Sequence, residues 1–565
     1  MFTVEIPRNK NVSILKDLIK EKNSSSLGNV DRKDLNLWQV SFPIDDLPSK
    51  NPPTVGPKLR SEKLLSEAFT SDLNIKYIHV VARVPSPGAP SPSSRPPPSA
   101  YVFPIVSTDQ VGRDREKFCS RRKSEAPSTG GTPQKFLNKQ DKADGYIPCN
   151  RPYGGPTAMP LSLVHPIFGK FLDDAENCVP TPNDIQFLFA FVQAMANIYK
   201  VESGRRQALL DIFHDYKMPI KPTSIGNFET DGDLSFDKFR FLIAEFKNEI
   251  GSKPAEPFFQ SILCYLEATR KLAVENTNSV LPCILVIIFG PYVAFAGAAW
   301  TGRPMAQMLS PAIPCHYHGT DIKMESMLVR HLVALRLAIH SLDTHYQEYS
   351  ASPSSSRRNP THPYPTSFKS PHGSINFEYA SQMQGHNRNL FFGNIKDGDR
   401  TAICIKFVSR YCEAGHELLA GKGLAPKLYA FERLPGGFYM VVMDDVREDY
   451  ISLFSLVQDD PKWLSDVHED DRNLLSENIR NCLLQLHQAS LVHGDIRDTN
   501  IMVKRSGFAG GTFLLVDYDL CGEIKKVRYP FDLNTVSVPR PEGATGGAII
   551  EVEHDLEMLD RIWQS

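Results

Sequence analysis

The sequence predicts a mixed α+β protein of three domains, and three observations lead to this fold class. The chain has 565 residues, enough for about three or four domains at roughly 100–200 residues each. Two segments rich in Pro and Ser interrupt it at 85–100 and 350–373, and such segments act as extended spacers. Elsewhere, stretches with the two-residue period of strands alternate with stretches of helical period. The predicted organisation is a domain at 1–84, a linker at 85–149, a domain at 150–348, a linker at 349–373 and a domain at 374–565.

The composition excludes two broad classes of protein. Lys and Arg total 63 and Asp and Glu total 65, a formal net charge of −2. This balance excludes a protein held on nucleic acid by overall positive charge. The ten Cys include no closely spaced pairs, which predicts reduced thiols rather than a disulfide framework.

The segment 280–300 is the one apolar stretch long enough to cross a bilayer. It contains Pro282 and the pair Gly290-Pro291, and residues 284–288 are mostly β-branched. These features favour two buried strands joined by a turn, so no membrane-spanning segment is predicted.

The first domain shows strand patterns at 2–6, 35–42 and 77–84 and helix patterns from Val12 and at 61–69. This order in 84 residues suits a small β-grasp, ubiquitin-like fold.

Three phrases of the first domain resemble the N-terminal domain of Crinkler effector proteins. They are VDRKDLNLWQVSFPIDDLPSK (30–50), KLRSEKLLSEAF (58–69) and IHVVARVP (78–85). In that family the domain usually begins with one more strand than this chain has. The resemblance implies secretion and delivery into host cells, finally to nuclei. An ordinary ubiquitin-like interaction module is the alternative.

The middle domain contains an acidic and basic pattern on a predicted strand. Glu245 and Lys247 are two residues apart, so they share one face of the strand, and Asp231 or Asp233 precedes them. Two carboxylates can hold Mg²⁺ while a lysine steadies an attacking water. Gln260 follows on an amphipathic helix.

This order of residues resembles the restriction-endonuclease-like fold. The resemblance implies a Mg²⁺-dependent nuclease site at Asp231, Glu245, Lys247 and Gln260, with DNA as a partner. An exposed strand of an inactive α/β domain is the alternative.

The last domain contains the most specific motifs. In VHGDIRDTNIMV (492–503), Asp495 and Asn500 have H-x-D-x-x-x-x-N spacing, and Asp517 follows in LLVDYDL. Phosphoryl transfer needs a base that orients the acceptor and ligands for Mg²⁺. Asp495 would accept the hydroxyl proton, and Asn500 and Asp517 would hold the metal.

A strand at 401–407 precedes these motifs and ends near Lys406. Lys406 would neutralise the phosphates of ATP, and Glu413 or Glu417 on the next helix would pair with it, with Glu413 favoured. Met443, Asp444 and Asp445 would lie near the adenine.

Together these motifs resemble a two-lobed, protein-kinase-like domain of the small-molecule-kinase or fungal type. The sequence departs from that pattern in two places. The glycine-rich loop has only Gly385 and Gly393, and 48 residues follow Asp517, which implies a short C-terminal lobe.

The sequence therefore predicts an ATP- and Mg²⁺-dependent phosphotransferase that acts on Ser or Thr hydroxyls of proteins. A Mg²⁺-dependent DNA nuclease with a regulatory kinase-like domain is one alternative, and an interaction protein without activity is another. Host delivery is expected from the Crinkler resemblance. Since no signal peptide is visible, the cytoplasm or nucleus is the alternative location, and the basic cluster 113–123 is either a nuclear import signal or solvated linker.

Overall fold

The computed structural model describes most of the chain. The described residues are 10, 12–22, 36–43, 65–69, 77–83, 102–142, 144–153, 155, 158–352, 358–383, 389–396, 398–459, 469–505 and 511–563. The chain divides into two compact units. The smaller contains residues 1–96 with 536–538, and the larger contains 97–535 with 539–565. The architecture is mixed α and β, as predicted.

The smaller unit has two helices and one antiparallel pair of strands in its described part. The elements are α1 (Val12–Lys22), β1 (Asn36–Pro43), α2 (Leu65–Ala68) and β2 (Tyr77–Arg83), and β1 pairs with β2 in antiparallel register. A small core forms from Val12, Leu15, Ile19, Leu37, Leu65 and Phe69. The predicted strand at 2–6 lies outside the described residues, so the β-grasp fold stays a prediction.

The first half of the larger unit alternates helices and strands. Its helices are α3 (Thr108–Arg121), α4 (Pro127–Gly130), α5 (Pro133–Gln140), α6 (Leu161–Val164), α7 (Pro166–Asn177), α8 (Pro182–Ala196), α9 (Glu202–Asp215), α10 (Pro257–Glu275) and α11 (Ile322–Ala351). Its strands are β3 (Val102–Pro104), β4 (Ser224–Ile225), β5 (Phe228–Glu229), β6 (Gly232–Phe236), β7 (Phe239–Lys247), β8 (Cys283–Phe289), β9 (Tyr292–Trp300), β10 (Pro304–Met308) and β11 (Ile313–Pro314).

A central sheet organises this half in the order β10-β9-β8-β7-β6, with β11 pairing to β9. Strands β7 and β8 are parallel, and α10 connects them, because parallel neighbours need a crossover connection. The residues of β8 are buried apart from a partly exposed Phe289. A strand covered on both faces needs a continuous apolar run, which explains its membrane-like composition.

The predicted pair of strands within 280–300 is confirmed. Strands β8 and β9 are antiparallel neighbours, and Gly290 makes the turn between them at a positive φ of 59°, where glycine carries no steric penalty. Among the described residues, no helix combines the length and apolar character needed to cross a membrane.

The prediction of a linker at 85–149 is wrong for its second half. Helices α3, α4 and α5 lie there, and Arg115 of α3 is fully buried. Its guanidinium donates to the backbone carbonyls of Ala273, Asn276, Ser279, Trp300 and Thr301. Arg115 of the basic cluster 113–123 is therefore part of the folded structure. Its buried charge is tolerated because its guanidinium donors find backbone acceptors.

The prediction of a linker at 349–373 is also wrong in its described parts. Helix α11 continues to Ala351, and Arg358 donates to the carbonyl of Val164 at 2.5 Å. A strand, β12, already begins at Ser367. Because Pro and Ser can line a packed connection as well as a spacer, composition alone does not separate the two.

The second half of the larger unit begins with a large sheet and continues with helices and short strands. Its strands are β12 (Ser367–Ser370), β13 (Gly373–Met383), β14 (Leu390–Ile395), β15 (Ala402–Val408), β16 (Leu428–Arg433), β17 (Tyr439–Asp444), β18 (Tyr450–Ser452), β19 (Leu491–Val492), β20 (Ile501–Lys504), β21 (Phe513–Leu515) and β22 (Gly522–Glu523). Its helices are α12 (Glu413–Ala420), α13 (Leu453–Asp459), α14 (Glu469–Gln488) and α15 (Val552–Asp560).

The sheet has the order β12-β13-β14-β15-β17-β16, and β3 from the predicted linker pairs with β13. Gly393 of β14 is required by strand packing, because a Cβ there would stand 2.1 Å from the carbonyl oxygen of Glu378. Gly385, the other glycine of the predicted loop, lies outside the described residues.

Candidate active site

Strand β15 places Lys406 on one face of its sheet. The two-residue period of the strand puts Ile403, Ile405 and Phe407 together in the core on the opposite face. Cys404 shares the face of Lys406 and packs with Phe392. Lys406 is therefore held by a strand whose other face is anchored in the core.

The ammonium of Lys406 contacts two carboxylates from a distant segment. Its Nζ lies 2.8 Å from Oδ1 of Asp517 and 2.6 Å from Oδ1 of Asp519. Burial lowers the pKa of Lys406, but the two carboxylates outweigh burial and raise it above its usual range.

The two carboxylates differ in their proton affinity. Burial alone would raise the pKa of Asp517, but Lys406 outweighs it and the pKa lies below its usual range. Burial and the charge of Asp517 raise the pKa of Asp519 to about 7. The cluster therefore holds one firmly ionised carboxylate beside one that titrates near neutrality.

The predicted ion pair between Lys406 and Glu413 does not form. Glu413 is exposed at the start of α12, as is Glu417 one turn later. The buried face of α12 instead carries Gly415, His416 and Leu419. Residues four apart share a helix face, so the same phase that buries His416 and Leu419 turns both glutamates to solvent.

The segment Asp517-Tyr518-Asp519 is held by aromatic contacts. The ring of Tyr518 stacks on that of His416, with centroids 4.8 Å apart and planes inclined by 7°, and it meets His493 edge-on at 5.4 Å. Asp517 has a positive φ of 73°, a conformation that non-glycine residues adopt only when surrounding contacts support it. Tyr518 supplies such contacts.

The loop with Asp495 lies beside this segment. The carboxylate of Asp495 is buried and accepts from Arg497 at 3.0 Å, Asn500 at 2.8 Å and Arg540 at 2.7 Å. Nδ2 of Asn500 also donates to the backbone carbonyl of Asp495, which keeps Oδ1 of Asn500 as an acceptor. The predicted residues Asp495 and Asn500 are thus brought together.

Sequence reasoning missed Asp555 of α15, which supports this loop. Asp555 is fully buried and accepts from the backbone N–H groups of His493 at 2.8 Å and Gly494 at 2.7 Å. Nε2 of His487 lies 3.0 Å from the same carboxylate. The available signal was the helical spacing that puts Asp555 on one face of α15 with Val552, Met558 and Leu559. Arg540 had no local signal, because its partner lies 45 residues away.

The predicted adenine contacts separate onto two faces of the sheet. Met443 lies opposite Cys404 in the register of β15 and β17 and so shares the face of Lys406. Asp444 lies opposite Ile403 and accepts from the hydroxyl of Tyr429 at 2.6 Å. The side chain of Asp444 therefore faces away from Lys406.

A second cluster lies in the middle domain. Lys247 and Glu245 are buried, with Nζ 2.5 Å from Oε1. Asp231 accepts from the backbone N–H of Phe246 and from Arg206, both at 3.0 Å. Burial, and then the neighbouring Asp231, raise the pKa of Glu245 well above its usual range.

The structure separates the two aspartates that the sequence left open. Asp233 accepts from the hydroxyls of Thr223 and Thr230 and lies 3.5 Å from Arg240. Asp231 instead lies close enough to Glu245 for its charge to raise the pKa of that carboxyl. Asp231 is therefore the aspartate of this cluster.

Helix α10 packs beside Glu245 and carries Gln260. Sγ of Cys264 lies 4.0 Å from Oε2 of Glu245, and Gln260 lies one turn earlier on the same helix face. Oε1 of Gln260 is buried and has no hydrogen-bond partner among the described residues. The structure therefore brings the residues predicted for the nuclease site to one region: Asp231, Glu245, Lys247 and Gln260. No group of three or more His, Cys, Asp or Glu suited to a metal occurs in the described part of the chain.

A comparison with protein families finds a match at the start of the chain. The family model described as the Crinkler effector protein N-terminal domain matches residues 1–83, which confirms the resemblance predicted for that segment. No curated protein matches the chain.

Two solved kinases are similar to part of the chain. The Cydia pomonella granulovirus kinase PK-1 is 19% identical over 24% of this chain and 48% of its own, with a TM-score of 0.20. Vaccinia related kinase 3 is 14% identical over 35% of this chain and 66% of its own, with a TM-score of 0.26. The chain thus spans less than two thirds of either kinase.

Proposed function

We propose that the C-terminal half of the larger unit is an ATP- and Mg²⁺-dependent phosphotransferase that acts on Ser or Thr hydroxyls of proteins. The observation that carries the proposal is the contact of Lys406 with Asp517, 111 residues away, beside the loop of Asp495 and Asn500. A largely buried lysine in contact with an ionised carboxylate and a second acid suits a triphosphate with its metal.

The chemistry of the donors fits Mg²⁺. The depressed pKa of Asp517 keeps its carboxylate ionised, and the hydrogen bonds of Asn500 leave its Oδ1 as an acceptor. Mg²⁺ prefers oxygen ligands and is usually bound through one or two protein side chains together with phosphate oxygens. When bound, the metal would neutralise charge on the phosphates; Lys406 would contribute a second positive charge.

Asp495 is the proposed base. Arg497 and Arg540 hold its carboxylate in place, and the acceptor hydroxyl must compete with Arg540 for Oδ1. As the acceptor oxygen forms its bond to the γ-phosphorus, the bond from that phosphorus to the bridging oxygen of ADP breaks. The hydroxyl proton passes to Asp495.

Transfer of radiolabelled γ-phosphate to the protein itself or to a generic protein substrate tests this function. Wild type should label, and Asp495→Ala should label at least about a hundredfold more slowly, the usual contribution of a positioned base. Glu413→Ala is the matched control. Because Glu413 is exposed, this substitution should leave labelling unchanged. Equal labelling by wild type and Asp495→Ala would show that Asp495 is not the base.

A Mg²⁺-dependent DNA nuclease in the middle domain is the second candidate. It is favoured by the proximity of Asp231, Glu245 and Lys247 and by the unpartnered oxygen of Gln260. Cleavage of plasmid DNA with Mg²⁺ should disappear in Lys247→Ala and persist in Lys238→Ala, a lysine outside the cluster. Intact plasmid after long incubation with wild type would exclude this function under those conditions.

The match of residues 1–83 to the Crinkler N-terminal domain supports the proposal of an effector delivered into host cells. Nuclear accumulation of the full chain in host cells is the expected result, and retention in the cytoplasm would contradict it. If both enzymatic assays fail while the chain binds a host protein, an interaction protein without activity becomes the better description.

A further inference from the structure

Two cysteines from distant parts of the chain meet beside the candidate active site. Cys412 precedes helix α12, and Cys521 follows Asp519 by two residues. The backbone N–H of Cys412 donates to the carbonyl of Tyr518 at 3.1 Å, which brings the two cysteine segments side by side. The absence of a side chain at Gly415 gives the sulfurs room. A Cβ there would stand 2.7 Å from Sγ of Cys521 and 3.4 Å from Sγ of Cys412.

Cys412 differs from the other nine cysteines, all of which are free thiols in the structure. The neighbouring thiol of Cys521 lowers the pKa of Cys412 to about 7, assisted by the N–H of Gly415 and opposed by burial. Burial raises the pKa of Cys119 and Cys178, which are half-buried like Cys412. Because the thiolate is the reactive form, Cys412 combines access with reactivity.

We infer that Cys412 and Cys521 form a redox-active thiol pair that hydroperoxides oxidise to a reversible disulfide. In the first step the thiolate of Cys412 attacks the peroxide, so that an S–O bond forms, the O–O bond breaks, and the leaving oxygen takes up a proton. In the second step Cys521 loses its proton and attacks the sulfenic sulfur, so that the S–S bond forms and the S–OH bond breaks. With hydrogen peroxide, two thiols lose two electrons and two waters form.

The disulfide would tie together the segment that leads into α12 and the segment that follows Asp519. Cys412 leads into α12, which carries His416 beneath Tyr518, and Cys521 leads into β22, which pairs with β19 just before the Asp495 loop. A covalent link here would fix the segment that carries Asp517. Only the consequence for ATP rests on the proposed function; formation of the disulfide does not.

The reactivity is tested by brief alkylation of the reduced full chain with iodoacetamide at pH 7, followed by mass spectrometry of each cysteine. Cys412 should react at least about tenfold faster than Cys119 and Cys178, because its pKa is lowered whereas burial raises theirs. Equal rates at the three positions would overturn the inference.

The disulfide is tested by treating the protein with hydrogen peroxide and digesting it without reductant. The Cys412–Cys521 peptide should form and should vanish with dithiothreitol. Cys521→Ser should instead accumulate sulfenic acid on Cys412, trapped by dimedone, and Cys178→Ser should behave as wild type. Persistent sulfenic acid on Cys412 of the wild type, with no linked peptide, would overturn the pairing, and this arm needs no variant.

The two proposals fail separately. If ATP binds, its affinity should change at least about threefold on oxidation and return with dithiothreitol. An unchanged affinity would contradict the restraint on the segment that carries Asp517. If the disulfide forms and ATP binds neither state, the phosphotransferase proposal fails and the thiol pair stands.

Discussion

The two lysine–carboxylate clusters of the larger unit are built in opposite ways. Glu245 and Lys247 are neighbours on one strand, and their side chains are 1% and 7% exposed. Lys406 meets Asp517 from more than 100 residues away, and these side chains are 16% and 33% exposed. The middle cluster is closed to solvent, whereas the C-terminal cluster is partly exposed to solvent. A ligand can therefore reach the second with less rearrangement, which is why the phosphotransferase is the first proposal.

The largest expected effect tests how far the C-terminal cluster depends on distant support. Asp555→Ala should lower the free energy of unfolding by about 4 kcal/mol, because it removes a buried charge and leaves the N–H groups of His493 and Gly494 unpaired. Urea unfolding followed by fluorescence measures the change. Asp560→Ala, on the exposed end of the same helix, should cost less than about 1 kcal/mol. If Asp555→Ala lowers the free energy of unfolding as little as Asp560→Ala, the contacts of Asp555 do not support the Asp495 loop.

The second largest effect on stability is expected in the middle cluster of Glu245 and Lys247. Lys247→Met should cost about 3 kcal/mol at pH 8, because Glu245 is left buried without its partner. Burial raises the pKa of Glu245, so at pH 5 its carboxyl can take a proton in the folded state and the cost should be smaller. Unfolding at both pH values measures this difference.

A double variant separates the charge from the packing. Adding Glu245→Gln to Lys247→Met should recover much of the lost stability at pH 8 and remove the pH dependence. A cost that is the same at pH 5 and pH 8 would mean that Glu245 is not the stranded charge.

A smaller effect concerns Asp519. Its pKa is raised to about 7 in the folded protein, whereas an unfolded Asp titrates near pH 4. The folded state therefore retains a proton that the unfolded state loses between about pH 4 and pH 7, and stability falls as the pH rises through this window. Asp519→Asn should flatten that fall by about 1 kcal/mol, a figure reduced for partial exposure. An unchanged pH profile would contradict the assignment.

The smallest effect is expected at the glutamates of α12. Glu413→Ala and Glu417→Ala should each change stability by less than about 0.5 kcal/mol, as exposed positions usually do, and should alter ATP affinity less than about twofold. Thermal unfolding and titration with ATP measure both. A large loss of affinity would show that α12 moves to pair with Lys406 when nucleotide binds.

Local patterns in the sequence were sufficient for several parts of the molecule. The strands around Lys406 and within 280–300 follow from period and composition, and the spacing of Asp495 and Asn500 placed both on one loop. The order of Asp231, Glu245 and Lys247 likewise identified residues that the fold brings to one region.

Contacts between distant residues were beyond such patterns. The five carbonyls around Arg115 come from residues 273–301, so nothing near Arg115 distinguishes it from a linker arginine. The predicted partner of Lys406, Glu413 or Glu417, was wrong for the same reason. The observed partners lie more than 100 residues away, and both glutamates are exposed on α12.

Binding of ATP with Mg²⁺, measured as the shift in melting temperature of wild type, Asp517→Ala and Lys247→Met, tests the central claim most directly. We expect a shift in wild type, its loss in Asp517→Ala, and a shift in Lys247→Met equal to that of wild type. No shift in wild type, or a shift that survives in Asp517→Ala, would contradict the assignment of the cluster of Lys406 and Asp517 as the nucleotide site.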